Sequence, residues 1–277
     1  AANDDKRVEI SVDLASLGGN ASFEFVVETT SWSGSCDMAG YDPSTTRMFV
    51  SPPAVNMWPI DSSTSSSAAT AMSYQRKLFY DSSNFWSFYF DGTNTVYRYS
   101  TNGGVTWSSK TNAFTTSGVN EVSVWYSSGN NLVYAVGDTS TSSTSIYLRK
   151  GTVNPGPRTI NWDTETTLAS STYALANKNT FITRDADGYI WVASADYVNT
   201  VQGRYQVTVF KSGSADTLSG WTNTGSLLTG QGSSSPQVVC VVVPAGSGSD
   251  VWAIYGAGGG VYSRKNTGSW SAQTTLQ

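Results

Sequence analysis

The sequence contains no histidine. An imidazole is the usual base beside a serine or cysteine nucleophile and a common transition-metal ligand, so those chemistries fall away together. Catalysis would have to run on carboxylates, tyrosines or bound metal. Only five glutamates occur: Glu9, Glu24, Glu28, Glu121 and Glu165. Glu121 is the best placed, just ahead of the apolar run VSVWY, but a solvated strand-entry residue is the preferred reading there. Asp81 and Asp185 end two matching apolar segments, KLFYD and NTFITRD. Converging across a sugar, such a pair would cleave a glycosidic bond, which needs two carboxyls about 5 to 10 Å apart. Asp185-Ala186-Asp187-Gly188 is also a good hairpin turn, and that reading is preferred. DADG opens like a calcium loop but lacks its continuation and distal glutamate. No metal and no cofactor are expected.

The candidate binding residues are Arg76, Arg184, Trp125 and Tyr126. The two arginines flank apolar segments and would face a shared axis; the two aromatics offer flat surfaces for a sugar ring. Singly, each aromatic on such a segment reads first as core. Lys+Arg number 16 against 20 Asp+Glu, a net charge of −4. A polyanion-binding surface draws its affinity from Lys and Arg, so nucleic acid is not an expected partner. No apolar run nears the 18 or so residues of a membrane span; the most apolar, VVCVVVP, is strand length. Low charge (13%), abundant Ser and Thr, and 10 Trp, 15 Tyr and 10 Phe point to an extracellular or cell-surface protein. Asn20-Ala21-Ser22 is a glycosylation sequon, placing a possible glycan on Asn20. Cys36 and Cys240 read equally as a long-range disulfide or as an unrelated thiol and a buried apolar residue.

These side chains sit on short alternating segments separated by turn residues, with no helical period: an all-β pattern. The segments fall into four units, 76–120, 121–178, 179–235 and 236–277. Each has an apolar inner strand, two further strands, and a tryptophan before a Thr-rich outer strand. The landmark tryptophans are Trp107, Trp162, Trp221 and Trp270. Four strands repeated every fifty-odd residues is the pattern of a β-propeller blade, and the length suits about five. Residues 1–75 form an irregular β region, supplying a further blade, a closing strand or a small β-sandwich. Its first strand has the potential to pair with another molecule, and so to drive self-assembly.

STNGGVTW, from Ser100 to Trp107, resembles an Asp-box, the S-x-D-x-G-x-x-W hairpin of BNR-repeat, sialidase-like β-propeller proteins. Ser100, Asn102, Gly104 and Trp107 fill its positions, with Asn for the commoner Asp. The turn chemistry is plain: Asn bonds the turn backbone, Gly takes positive φ, and Trp packs between sheets. SRKNTGSW and KSGSADTLSGW are weaker echoes. The resemblance implies a sialidase-like propeller fold and says little about activity, since Asp-boxes are generally structural. The family's sialidases bind the substrate carboxylate with three arginines, and no third arginine is evident here.

The expectation is therefore an extracellular, non-catalytic propeller of about five four-stranded blades. It would bind a glycan or protein on one face or assemble into a surface layer, filament or appendage. The alternative is a glycoside hydrolase using inner-strand carboxylates. Carboxylates and arginines clustered at one mouth of the channel would favour the enzyme; a Ser, Thr and apolar lining would favour the module.

Overall fold

The computed structural model describes residues 28–30, 36–38, 59–64, 66, 69–70, 72–139, 145–169, 179–199, 204–228, 239–257 and 259–276. The chain divides into two compact units, Ala1–Met57 and Trp58–Gln277. In the first, β1 (Glu28–Thr30) and β2 (Cys36–Met38) form an antiparallel pair. Asn20, and most of the span expected to supply a further blade, lie outside the described residues.

In the second unit every described element is a strand. Blade 1 contains β3 (Leu78–Tyr80), β4 (Phe85–Phe90), β5 (Thr95–Ser100) and β6 (Thr111–Asn112). Blade 2 contains β7 (Val119–Ser127), β8 (Leu132–Thr139), β9 (Ser145–Asn154) and β10 (Thr159–Trp162), with β11 (Thr166–Ala169) also pairing β9. Blade 3 contains β12 (Phe181–Arg184), β13 (Ile190–Asn199), β14 (Arg204–Lys211) and β15 (Thr222–Ser226). Blade 4 contains β16 (Val239–Pro244), β17 (Val251–Ala257), β18 (Gly260–Asn266) and β19 (Thr274–Thr275). Each sheet is an antiparallel meander in chain order. Short strands joined by tight turns leave every blade with two faces to cover, and where two blades adjoin their facing sides cover each other.

Three apolar layers run between successive blades. Phe79, Trp86, Phe88 and Tyr97 of blade 1 pack on Val122, Val124, Val133 and Ala135 of blade 2. Tyr134, Val136, Ile146 and Leu148 of blade 2 meet Ile182, Ile190, Val192 and Phe210 of blade 3. Phe181, Trp191, Ala193 and Val207 of blade 3 meet Cys240, Val242, Val251 and Ala253 of blade 4. Strand alternation sends one set of side chains forward to the next blade and the other back to the preceding one. First strands adjoin as well: β12 lies against both β7 and β16, and the Val124 amide donates to the Arg76 carbonyl (2.9 Å). These are four consecutive blades of an all-β propeller. The backward face of blade 1 carries the segment around Asp61, which accepts a hydrogen bond from Tyr89 (2.8 Å) while Arg98 donates to the Ile60 carbonyl (3.0 Å).

Of the two readings of Cys240, the structure has the buried apolar residue: it is a free thiol in the layer between blades 3 and 4, and burial there pushes its pKa upward. One expectation is corrected here. Trp107 does not pack between sheets. Its indole is half-buried over its own turn, with Nε1 donating to the Gly104 carbonyl (3.0 Å). Trp162, Trp221 and Trp270 each pack against the layer shared with the preceding blade. No blade precedes blade 1 among the described residues. The turn chemistry around Trp107 follows the motif. Ser100 Oγ accepts from the Gly104 amide (2.8 Å), Asn102 Oδ1 accepts from the Thr106 amide (2.9 Å), and Gly104 has φ +88°.

Candidate functional site

Two groups of polar side chains gather near opposite ends of the first strands. At the carboxyl ends, the β7–β8, β12–β13 and β16–β17 hairpins enclose an open cleft of about 290 Å³. Trp125, Tyr126 and Ser127 come from blade 2, Arg184, Asp185 and Ala186 from blade 3, and Pro244 from blade 4. Three of the four binding residues picked from the sequence thus meet in one place.

Each wall is held independently. Tyr126 stacks on Phe79 at 4.5 Å, and its hydroxyl donates to Asn131 Oδ1 (2.8 Å). Trp125 has the Arg76 guanidinium 4.1 Å from its ring centroid. Arg76, expected as a ligand residue, is not among the cleft's lining residues. It reaches from blade 1 past Trp125 to Phe181, and its Nη2 donates to the Ile182 carbonyl (2.6 Å). Burial lowers its pKa to about 10. Arg76 is therefore a pin between blades, stacked as a planar cation can be. The blade 3 hairpin is tied to blade 4 by the Ala186 amide, which donates to the Gly248 carbonyl (3.2 Å).

Arg184 is fixed by Asp216: Nε is 2.7 Å from Oδ1 and Nη2 is 3.1 Å from Oδ2. Tyr134 donates its hydroxyl to the same carboxylate (2.6 Å), as does Asn130 Nδ2 (3.3 Å). Hydrogen bonding to Arg184 holds Asp216 below the usual carboxylate range, and hydrogen bonding to Asp216 raises the guanidinium pKa. Asp216 also joins blade 2 to blade 3, yet nothing about its place in KSGSADTLSGW announced that role. The available signal was its position as the aspartate of a degenerate Asp-box. It bonds Arg184 rather than its own turn.

Asp185 and Asp81 are each bonded within their own blade's hairpin. Asp185 Oδ1 accepts from the Tyr189 amide (2.8 Å) and Oδ2 from the Trp191 indole (2.7 Å). Asp81 repeats the arrangement in blade 1, with Oδ1 taking the Ser83 and Asn84 amides (2.9 and 2.7 Å) and Oδ2 the Trp86 indole (2.7 Å). Each carboxylate closes its own hairpin and satisfies a buried indole N–H. Both are spent on structure.

Near the amino-terminal ends stands the second group. Glu121 is buried, 3% exposed, and is not the solvated residue its place before a strand suggests. A bulge at the start of β7 turns it inward, and Gly137 permits the approach: a Cβ there would lie 2.7 Å from the Glu121 carbonyl oxygen. Glu121 Oε2 then accepts the Asn179 amide (3.0 Å). Directly across the ladder is Asp138, fully buried. Burial raises the pKa of Tyr74, and the charges of Glu121 and Asp138 raise it further; the Tyr74 hydroxyl makes no hydrogen bond. Burial lowers Lys77 to about 8 against the upward pull of Glu121. Lys77 Nζ donates to Gln75 Oε1 (2.9 Å) and the Met72 carbonyl (3.1 Å). Neither Asp138 nor Lys77 stood out in the sequence. Among the described residues no set of three Asp, Glu, Cys or His side chains is placed to hold a metal ion.

No protein-family model matches the chain, and no curated protein sequence matches it. Solved structures resemble it at low identity. A polysaccharide lyase acting on ulvan superposes with a TM-score of 0.46 and 10% identity, over 70% of this chain and 53% of the lyase. An exo-β-1,3-galactanase from Phanerochaete chrysosporium gives 0.44 and 11%, over 73% and 50%. An α-L-arabinofuranosidase from Clostridium thermocellum gives 0.44 and 11%, over 73% and 72%. All three act on carbohydrate. The chain spans about half the length of the first two. Among the described residues no helix is long and apolar enough to cross a membrane.

Proposed function

We propose that the protein acts on carbohydrate by holding a sugar in the cleft between the hairpins of blades 2, 3 and 4. One observation carries the reading: Trp125, Tyr126 and Arg184 line a single open cleft, each already fixed from behind. Amphipathic rings beside a few positioned polar groups are what a sugar requires, since it presents apolar C–H faces and a rim of hydroxyls. Fixed side chains lose little entropy on binding. The deciding experiment is a glycan array probed with the wild-type protein and with Trp125→Ala. Binding by the wild type that the variant loses supports the reading. Binding that survives the substitution, or no binding to any glycan, contradicts it.

A second reading, glycoside cleavage, is favoured by the other group. Glu121 and Asp138 are direct cross-strand neighbours, which places two carboxyl side chains on the same face of the sheet, and glycoside cleavage runs on such a pair. One carboxyl would protonate the leaving oxygen while the other attacks the anomeric carbon, and water would then release the sugar. Burial of both carboxyls argues for the cleft first. A reducing-sugar assay decides: activity abolished by Glu121→Gln, with the melting temperature retained, supports cleavage.

A further inference from the structure

The charges around the cleft say which sugars it suits. We infer that the cleft takes an uncharged pyranose and that Asp216 sets this preference by occupying Arg184. This rests on the carbohydrate reading above and specifies its ligand.

Arg184 is the only cation among the lining residues. Its charge is already paired, because two of its three nitrogens face Asp216 at 2.7 and 3.1 Å, so it offers an anionic ligand no unpaired cation. Its remaining Nη1 lies 3.5 Å from the Asp185 carbonyl, too long for a strong bond, and so keeps a proton for a hydroxyl oxygen. The neighbouring Lys150 is likewise engaged, by the Asp216 carbonyl (3.3 Å) and the Asp163 carboxylate (3.2 Å). Lys211 lies over the Tyr189 and Trp191 rings. Against Arg184 stand Asp216 and Asp185, and exposed Asp187 follows on the same turn. Among the lining residues Arg184 and Asp185 cancel, and Asp216 behind Arg184 adds a further negative charge on that wall. A uronate, sialate or sulfate would meet these carboxylates while the one lining cation is already paired, and Arg76 lies behind the Trp125 ring with a carbonyl as its partner. A neutral pyranose meets none of that repulsion. It can lay its C–H face on Trp125 and accept from Arg184, with Ser127 and Ser128 supplying hydroxyls. The cleft's 290 Å³ sits at the small end of ligand sites, the scale of a short sugar segment rather than a long chain.

The test is a calorimetric titration of the wild type with matched uncharged and uronate- or sulfate-bearing oligosaccharides at low and moderate salt. The wild type should prefer the uncharged set by about tenfold or more, with little salt dependence. Asp216→Asn should release Arg184 and shift the preference towards the anionic set, and adding Arg184→Gln should remove that gain. Thermal melts identify folded variants. If Asp216→Asn does not fold, the wild-type preference and its salt dependence still decide. Anionic sugars bound by the wild type as tightly as neutral ones would overturn this inference while leaving carbohydrate binding in place. No binding by either set would overturn both.

Discussion

Blades 3 and 4 put a tryptophan at the same point of the second strand and treat it differently. Trp191, opposite Thr183, faces forward into blade 4 and is 1% exposed. Trp252, opposite Val243, faces forward from blade 4 and is 40% exposed, with Ile254 and Val261 beside it. Both have a lysine across the next ladder, Lys211 and Lys265. The difference extends to the acid. Two residues after Thr183 stands Asp185, bonded to the buried indole; two residues after Val243 stands Ala245. Blade 1 follows blade 3, with Trp86 fully buried and held by Asp81. Blade 2 uses a buried tyrosine, Tyr134, whose hydroxyl goes to Asp216. A buried N–H or O–H needs a partner, whereas an exposed one finds water. The acids therefore mark the faces that a following blade covers.

The largest effect that sharpens this contrast is truncation of the two indoles. Trp191→Ala should cost about 3 to 5 kcal/mol in denaturant unfolding, whereas Trp252→Ala should cost less than about 1 kcal/mol. Equal losses would break the comparison by showing that Trp252 is packed in solution.

Removing the acids comes next. Asp185→Ala should destabilise by about 2 kcal/mol, since a buried indole N–H loses its charged acceptor. Asp81 adds a pH signature. Burial alone would raise its pKa, but the hydrogen bonds from Trp86, Asn84 and Ser83 outweigh it and hold the carboxyl below the usual 3.8. A depressed folded pKa means stability that is present above the unfolded value and lost as pH falls through the folded one. The gap in stability between wild type and Asp81→Asn should thus narrow on acidification below about pH 4. A constant gap would contradict the assignment.

How much of this was legible beforehand follows the same division. The four-unit repeat and its inner strands could be read because apolar alternation and turn residues are local signals. The cleft-lining trio of Trp125, Tyr126 and Arg184 could be picked because each sits at the end of an apolar segment. Asp81 and Asp185 drew attention as carboxylates, but their indole partners lie five and six residues on, across a hairpin. Glu121 was misread because its burial depends on a bulge, a glycine on the next strand and an amide from another blade. Asp216, 32 residues from Arg184, has no local pattern that names its partner. Contacts between blades are what a linear reading loses.

A smaller effect separates the landmark tryptophans. Trp270→Ala, which removes a ring packed against Trp191 at 6.4 Å, should destabilise by roughly 2 to 3 kcal/mol, and Trp107→Ala by about 1 kcal/mol. The smallest concerns Cys240. A reductant should leave the melting temperature unchanged, and the native thiol should resist alkylation until the protein unfolds. A reductant-dependent drop would restore the bond to Cys36.

The most direct test of carbohydrate binding is a crystal structure of the protein soaked with its tightest-binding oligosaccharide. The sugar should lie against Trp125 with a hydroxyl within hydrogen-bond reach of Arg184 Nη1. A sugar seated instead beside Glu121 and Asp138, with the hairpin cleft empty, would contradict the account.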